Sequence, residues 1–241
     1  MKINIHAGHN PDGKVACGAI GLIKESTEAR NVKDEVIRLL KNEGHTIYDC
    51  TVNDGTSQAN VLTKIIAKCN SNTVDLDVSI HFNAGANDKT GNKKTTGTEI
   101  FLYSTSSKAA KYAEQVVKKI AGLGFTNRGI KYSTSLYVLK NSKAPAMLIE
   151  CCFVDDKDDT DLYDAKKMAK AIAEGILNKT ISEGTVKEET KEETKSTTET
   201  TNNNTTIYKV QTGAFKEKTN ADNLVKDLKK AGYDAVVTKQ S

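Results

Sequence analysis

Two hydrophobic periodicities alternate along residues 1–181, and this alternation restricts the fold more than any other feature of the sequence. Short apolar runs typical of strands are followed by segments with apolar residues three or four positions apart, as in amphipathic helices. Strands are predicted at 3–5, 46–50, 78–80, 98–103, 136–139 and 146–149, and helices around 29–40, 61–66, 109–120 and 168–176. Strands that alternate with helices in this way predict an α/β fold, with a mostly parallel twisted sheet flanked by helices.

Residues 182–206 contain one apolar side chain, Val186, and are rich in Thr, Glu and Asn. Such a segment cannot bury enough surface to offset the entropy of ordering, so we predict a disordered linker here. The segment also helps to explain why only 37% of the chain is hydrophobic. The sequence therefore divides into a first domain at 1–181, a linker at 182–206 and a short C-terminal segment at 207–241.

The charge, the cysteine content and the absence of long apolar runs argue against several classes of protein. A net charge of +4 is too balanced for a dedicated nucleic-acid binder. No stretch reaches the ~18–20 apolar residues of a membrane span, and the N-terminus lacks the apolar core of a signal peptide. Five cysteines without a Cys-x-x-Cys pair indicate buried thiols rather than a disulfide framework. We expect synthesis in the cytoplasm, with no nucleic-acid partner and no membrane span.

Three polar side chains lie where predicted strands end. His9 follows the first strand, His81 follows the strand at 78–80, and Glu150 follows the strand at 146–149. In open α/β sheets, ligands bind in the crevice beyond the carboxyl ends of the strands. Two histidines and a carboxylate, with one position left for water, form the ligand set of a catalytic zinc site. The spacing alone is also compatible with ordinary loop residues.

Six motifs of the first domain, in this order, carry a resemblance to a known family. They read INIHAGHN, VSIHFNA, GTEIFLY, NRGIK, LYVLK and PAMLIECCFV, and they span about residues 1–180. Together they resemble the zinc-dependent N-acetylmuramoyl-L-alanine amidases, which are cell-wall hydrolases of the autolysin and phage endolysin type. The resemblance implies one zinc ion and an activity that hydrolyses the amide between N-acetylmuramic acid and L-alanine in peptidoglycan, which lyses the wall.

The resemblance also implies roles for individual residues. His9 and His81 match two zinc ligands of the family, and the third ligand is a Glu at the start of the first helix. Glu25 and Glu28 both lie on the correct face of that helix. Glu25 has the family's separation from Gly44, the glycine that ends the helix. We therefore assign Glu25 as the ligand, with Glu28 as the alternative.

Glu150 matches the catalytic Glu of the family, which is not a metal ligand. A carboxylate at this place can accept a proton from the attacking water and pass it to the leaving amine. Asn83 and Arg128 match positions that line the family's cleft, so we expect them to contact substrate. Two other functions stay open: a different zinc peptidoglycan hydrolase, such as a peptidase or deacetylase, and a non-catalytic cell-wall-binding protein.

Two further features of the first domain are expected to be structural. His6 stands where many bacterial relatives carry Asp, and we expect it to support the site rather than bind metal. The acidic string at 155–159 lacks the Gly and the closing Glu of a calcium loop, and is predicted to be a solvated turn.

Residues 207–241 predict a short β-α-β segment. A strand at 207–215, a helix through Ala221 and Leu228 and a strand at 235–237 resemble the first half of a SPOR domain, a peptidoglycan-binding module about twice as long. A segment of this size is below the ~40 residues that usually fold unaided, so we expect either that the module is truncated here or that this half pairs with a second copy. The linker would tether a wall-binding unit to the enzyme. We expect the protein to act at the cell wall after release through a holin or by cell lysis.

Overall fold

The computed structural model of the chain describes residues 1–182, 218–230 and 236–237. The chain forms two units, at 1–189 and 190–241. The first unit contains six strands: β1 Lys2–Ala7, β2 Thr46–Asp49, β3 Leu76–Asn83, β4 Thr98–Leu102, β5 Asn127–Tyr132 and β6 Ala146–Phe153. Its helices are α1 Glu25–Asn42, α2 Gln58–Asn70, α3 Ala110–Ala121, α4 Tyr137–Asn141, α5 Lys157–Leu162 and α6 Ala165–Leu177.

The six strands form one sheet in the order β2-β1-β3-β6-β4-β5. Four of the five strand pairs are parallel, and the pair between β4 and β6 is antiparallel. The prediction of a mostly parallel sheet flanked by helices is therefore confirmed. The antiparallel junction brings the start of β4 beside the middle of β6, which matters for the site described below.

The two faces of the sheet are covered unequally. On one face, alternate strand residues such as Ile5, Ile80 and Ile149 are fully buried in the main hydrophobic core, together with residues of α1, α3 and α6. On the other face, Leu148 belongs to a smaller core with α2 and α4. Because side chains alternate between faces along a strand, Glu150 lies on the same face as Leu148. This second face carries the candidate site described below.

Two predicted elements differ from the structure. Residues 136–139, predicted as a strand, belong largely to the short helix α4, because a short apolar run does not distinguish the two. Val138 and Leu139 are neighbours in sequence and are both buried against the smaller core. The edge strand β5 was not predicted. Its ends are exposed and only its two central residues are partly buried, so it lacks a clear alternating pattern.

In the second unit, α7 covers Lys218–Lys230, which confirms the predicted helix through Ala221 and Leu228. The predicted linker and the strand at 207–215 lie outside the described residues. Val236 and Val237, from the predicted last strand, are assigned to no helix or strand. Across the parts of the chain that the structure describes, no helix has the length and apolar character needed to cross a membrane.

Candidate metal centre

A row of four residues crosses the sheet on the face that also carries α2 and α4. His81 of β3 is paired with Glu150 of β6, and Glu150 is paired with Glu99 of β4. Gly8 follows β1 and donates its backbone N–H to the carbonyl of Ile80, which places it beside His81. Directly opposed residues on neighbouring strands point to the same face and lie about 4.5–5.5 Å apart at Cβ. The strands therefore line up an imidazole and two carboxylates.

His9, Glu25 and His81 form a compact cluster at one end of this row. Glu25 Oε1 lies 3.3 Å from His9 Nε2 and 3.0 Å from His81 Nδ1. One potential ligand atom from each residue lies within 4.8 Å of the others. The two imidazole rings meet edge to face, with centroids 4.9 Å apart. The structure therefore brings together all three residues that the resemblance implied as ligands.

Backbone groups fix the orientation of the Glu25 carboxylate. Ala19 N–H donates to Oε2 at 2.7 Å, and Phe82 N–H donates to Oε1 at 3.2 Å. Glu25 is also the first residue of α1, where a negative charge is favoured by the helix dipole. Burial alone would raise the pKa of Glu25, but the hydrogen bonds with His81 and His9 outweigh it and hold this pKa below its usual range. The carboxylate is therefore ionised and aimed at the two histidines.

Two glycines leave the space that the cluster needs. A Cβ at Gly8 would overlap the imidazole ring of His81. Gly18 has a φ of +80°, and a Cβ there would collide with the carboxylate of Glu25 and approach the ring of His9. No other residue type fits these positions without moving the cluster. The glycine of the GHN motif is therefore a packing requirement of the site.

The donor set fits a zinc ion. Bonds of ~2.0–2.1 Å in tetrahedral geometry place neighbouring ligand atoms about 3.3 Å apart, close to the two measured distances around Glu25 Oε1. Burial lowers the pKa of His81, and the neutral imidazole that results is the form that binds metals. His81 Nε2 and Glu150 Oε2 are buried and have no hydrogen-bond partner among the described residues. Buried polar atoms normally have partners, so the unpartnered Glu150 oxygen is available to a ligand or a water molecule at the site.

Glu28, the alternative ligand, has a different environment. Its carboxylate accepts hydrogen bonds from the Tyr163 hydroxyl at 2.9 Å and from the Asn31 side chain at 3.0 Å. The Tyr163 ring packs edge to face on Phe82, with centroids 5.2 Å apart. Glu28 thus joins α1 to the short connection between α5 and α6, outside the cluster of His9, Glu25 and His81.

Glu150 lies inside β6, which continues to Phe153, and not at the end of a strand as predicted. Its side chain is partly buried. Burial, and to a smaller extent the nearby negative charges of Glu25 and Glu99, raise the pKa of Glu150 to about 8. A carboxyl group that changes its protonation near neutral pH can both accept and release a proton there.

The raised pKa of Glu150 predicts a pH-dependent effect on stability. The pKa of Glu150 is near 4.5 in the unfolded chain and about 8 in the folded protein, so between these pH values the folded state binds the proton of Glu150 more tightly. The free energy of unfolding of the wild type therefore falls as the pH rises through this range. Glu150→Gln removes this loss. In metal-free protein, the stability of the variant relative to wild type should increase by on the order of 3 kcal/mol from pH 4.5 to pH 9. Urea unfolding of both proteins at both pH values measures this difference in the free energy of unfolding.

Glu114→Gln is the matched control for this experiment, because Glu114 is an exposed carboxylate on α3 away from the site. It removes the same charge and should show no comparable increase. An equal pH dependence for Glu150→Gln and wild type would contradict the buried environment of Glu150.

Glu99 is a residue of the site that the sequence did not identify, although it lies in the GTEIFLY motif. Its side chain is buried, and its two oxygens accept hydrogen bonds from Asn83 Nδ2 at 2.9 Å and from Arg128 Nε at 2.8 Å. The structure therefore places Asn83 and Arg128, the two predicted substrate contacts, on a shared carboxylate next to Glu150. A Glu within a strand carries no local signal for such a role.

Arg30 is a second residue that the sequence did not identify. Its guanidinium donates hydrogen bonds to the backbone carbonyls of His9 at 2.7 Å and Val52 at 3.2 Å, and to the side chain of Asn53. Arg30 therefore ties α1 to the loop that carries His9.

His6, as expected, is not in the cluster: it is buried, its Nδ1 lies 3.5 Å from Ser79 Oγ, and burial lowers its pKa to about 3.

The acidic string at 155–159 holds the loop at 84–97, which follows Asn83. Asp155 accepts hydrogen bonds from three consecutive backbone N–H groups near the start of this loop. Asp158 accepts three near its middle, and Asp159 accepts one at its end. Asp155 and Asp159 are buried. The prediction of a solvated turn is therefore wrong, because the partners of these carboxylates are distant in sequence.

Comparisons with known proteins agree with this arrangement. The sequence is 34% identical over 195 residues to a Clostridium perfringens (strain 13) protein described as uncharacterized, covering 78% of this chain and 55% of that protein. It is 27% identical to the sporulation-specific N-acetylmuramoyl-L-alanine amidase of Bacillus subtilis (strain 168), covering 98% of this chain and 84% of that protein. The chain spans about half the length of the two C. perfringens proteins that it matches.

Among solved structures, the catalytic domain of the CD27L endolysin targeting Clostridia difficile matches with a TM-score of 0.66 and 30% identity. The match covers 76% of this chain and 99% of that domain. A SPOR domain model matches residues 185–241, a range that begins within the predicted linker. The N-acetylmuramoyl-L-alanine amidase model matches residues 3–181, and the chain therefore belongs to this amidase family.

Proposed function

We propose that the protein is a zinc-dependent N-acetylmuramoyl-L-alanine amidase that hydrolyses the amide between the lactyl group of N-acetylmuramic acid and L-alanine in peptidoglycan. The observation that carries this proposal is the convergence of His9, Glu25 and His81 beside Glu150 on one sheet face, in a chain of this family. Members of the family are generally zinc-dependent. His9, Glu25 and His81 would hold a single zinc ion.

Different residues of the site have different roles in the reaction. When bound, zinc would polarise the scissile carbonyl and lower the pKa of water at the site. Glu150 accepts the proton of the attacking water and delivers it to the nitrogen of L-alanine as the C–N bond breaks. Glu25 keeps its charge because backbone N–H groups and both histidines stabilise the carboxylate. Arg30 maintains the position of His9 through its backbone carbonyl.

The second unit supports the inference that the whole chain binds peptidoglycan. A SPOR domain model matches residues 185–241, and the resemblance to this module implies a peptidoglycan-binding role for the segment. We propose that this unit keeps the amidase near its substrate by raising its effective concentration at the wall. The place of action that follows is the cell wall, where the substrate is found. The boundary at 206 between linker and segment stays a prediction, as does the self-association of the segment.

Mass spectrometry of digested cell walls tests the proposed function. Purified peptidoglycan incubated with the zinc-loaded full chain should yield stem peptides with a free α-amino group on L-alanine, and glycan strands with free lactyl groups. Free sugar amines would instead identify a deacetylase, and new ends within the stem peptide would identify a peptidase. Intact walls after incubation would indicate a non-catalytic wall-binding protein. Each of these three outcomes contradicts the proposal.

The zinc content of two variants distinguishes Glu25 from Glu28 as the ligand. Glu25→Ala removes an atom of the cluster, so it should lower the bound zinc from one equivalent to a small fraction of it. Glu28→Ala removes the hydrogen bond from Tyr163 and should retain the zinc. Elemental analysis after dialysis measures the zinc content of both variants. Zinc loss in Glu28→Ala with zinc retention in Glu25→Ala would reverse the assignment.

A further inference from the structure

Arg128 presents an open hydrogen-bonding edge beside the candidate metal centre. Its Nε donates to Glu99 at 2.8 Å, and its guanidinium carbon lies 5.0 Å from the centroid of the Phe153 ring. Within the described part of the chain, its Nη1 and Nη2 atoms have no hydrogen-bond partner. The side chain is 37% exposed, so these N–H groups are accessible to a ligand.

The surroundings of Arg128 hold the guanidinium in one orientation. Glu99 is buried, and its second oxygen is occupied by the hydrogen bond from Asn83. The carboxylate therefore cannot turn to bind both Nη atoms of Arg128. The Phe153 ring supports one face of the guanidinium. A planar guanidinium fixed in this way loses little entropy on binding, and its N–H fork matches the geometry of a carboxylate.

The position of Arg128 agrees with one particular part of the substrate. Arg128 is on β5, and only β4 separates β5 from β6 and Glu150. With strands ~4.8 Å apart, a group bound by Arg128 would lie roughly 5–10 Å from the reacting amide. In a stem peptide, the α-carboxyl of the residue after L-alanine lies about 5–6 Å from the scissile nitrogen, since consecutive Cα atoms are ~3.8 Å apart.

In the described part of the chain, the two cations near His9 and Glu25, Arg30 and Lys24, are already engaged by protein groups. Arg30 is engaged by four residues: Ser26, His9, Val52 and Asn53. Lys24 forms an ion pair with Asp12. On this side of the site Glu25 keeps its negative charge, which disfavours an anion beside it. The charge distribution therefore directs an anionic peptide towards β5.

We propose that Arg128 binds the α-carboxylate of the residue that follows L-alanine in the stem peptide, and that Glu99 positions Arg128 for this contact. This inference rests on the proposed function and deepens it. The α-carboxyl at this place in peptidoglycan is either free or amidated. A carboxamide has no charge and offers Arg128 a single acceptor oxygen. Arg128 is therefore the residue that makes the enzyme prefer the free carboxylate.

Two muropeptides that differ only in this group test the inference. N-acetylmuramoyl-L-alanyl-D-glutamate carries the free α-carboxylate, and N-acetylmuramoyl-L-alanyl-D-isoglutamine carries the carboxamide. We expect the zinc-loaded full chain to cleave the first with a kcat/KM about tenfold higher, as a charge-assisted hydrogen bond predicts. In Arg128→Gln this ratio should fall to about one. The comparison is a ratio within each variant, so a general loss of activity does not affect it.

Lys131→Gln is the matched control, because it removes one exposed positive charge from the same strand. It should keep the roughly tenfold ratio. Equal rates on both muropeptides in the wild type, or an unchanged ratio in Arg128→Gln, would overturn the carboxylate site and leave the proposed function intact. A ratio of about one in Lys131→Gln would also overturn it, because general charge attraction would then explain the preference. Failure to cleave either muropeptide would instead count against the proposed function.

Discussion

Glu150→Gln is expected to lower kcat roughly 10²–10⁴-fold while the protein keeps its full zinc content. Glutamine preserves the size of the side chain but cannot accept the proton of the attacking water or return it to the leaving amine. Glu150 lies opposite His81 in the sheet register and is not one of the three clustered side chains. The variant should therefore separate proton transfer from metal binding. Release of L-alanine amino groups from purified walls, together with elemental analysis, measures both quantities.

Glu114→Gln is again the control, since it removes a carboxylate from the exposed surface of α3. It should retain both activity and zinc. Wild-type kcat in Glu150→Gln would show that another group transfers the proton. Loss of zinc from Glu150→Gln would show instead that Glu150 holds the metal.

His81→Ala is expected to abolish both zinc binding and hydrolysis. His81 contributes one of three ligand atoms, and its Nδ1 lies 3.0 Å from Glu25 Oε1. Its removal leaves His9 and Glu25, too few ligands for a catalytic zinc site, which uses three protein groups. Activity should fall at least as far as in Glu150→Gln, and bound zinc should become undetectable after dialysis. Full zinc occupancy in His81→Ala would contradict the assignment of the cluster.

His81→Ala also opens a cavity in a buried region, so folding needs its own check. His45→Ala is the matched control, because His45 is only partly buried and lies outside the cluster. It should keep zinc and activity. Circular dichroism of both variants distinguishes loss of the metal from loss of the fold. A folded His81→Ala protein without zinc is the expected result.

The apolar strands, and the site residues that come directly after them in the sequence, could be predicted from the sequence. His81 and Glu150 stand in or directly after strongly apolar runs, and His9 follows the first predicted strand, so the local pattern brings all three to one region of the sheet. The choice of Glu25 over Glu28 needed the resemblance, because both share one helix face. In the structure the two differ through contacts with residues distant in sequence, namely His81 for Glu25 and Tyr163 for Glu28.

The parts that could not be predicted depend on pairing between distant segments. Glu99 enters the site because β4 runs antiparallel to β6, and no local pattern specifies that direction. The carboxylates of Asp155 and Asp159 are buried because the loop at 84–97 supplies their N–H donors. The edge strand β5 lacks a regular hydrophobic alternation, since its ends are exposed. These features arise from tertiary structure and not from local sequence preference.

Zinc titration of chelator-treated protein tests the central claim most directly. The full chain is stripped of metal and zinc is returned in steps, while new L-alanine amino groups released from purified peptidoglycan are counted. We expect no release without metal, and a release rate that rises linearly and reaches its maximum at one zinc per chain. Release at the full rate from metal-free protein, or no release at any zinc level, would contradict this expectation.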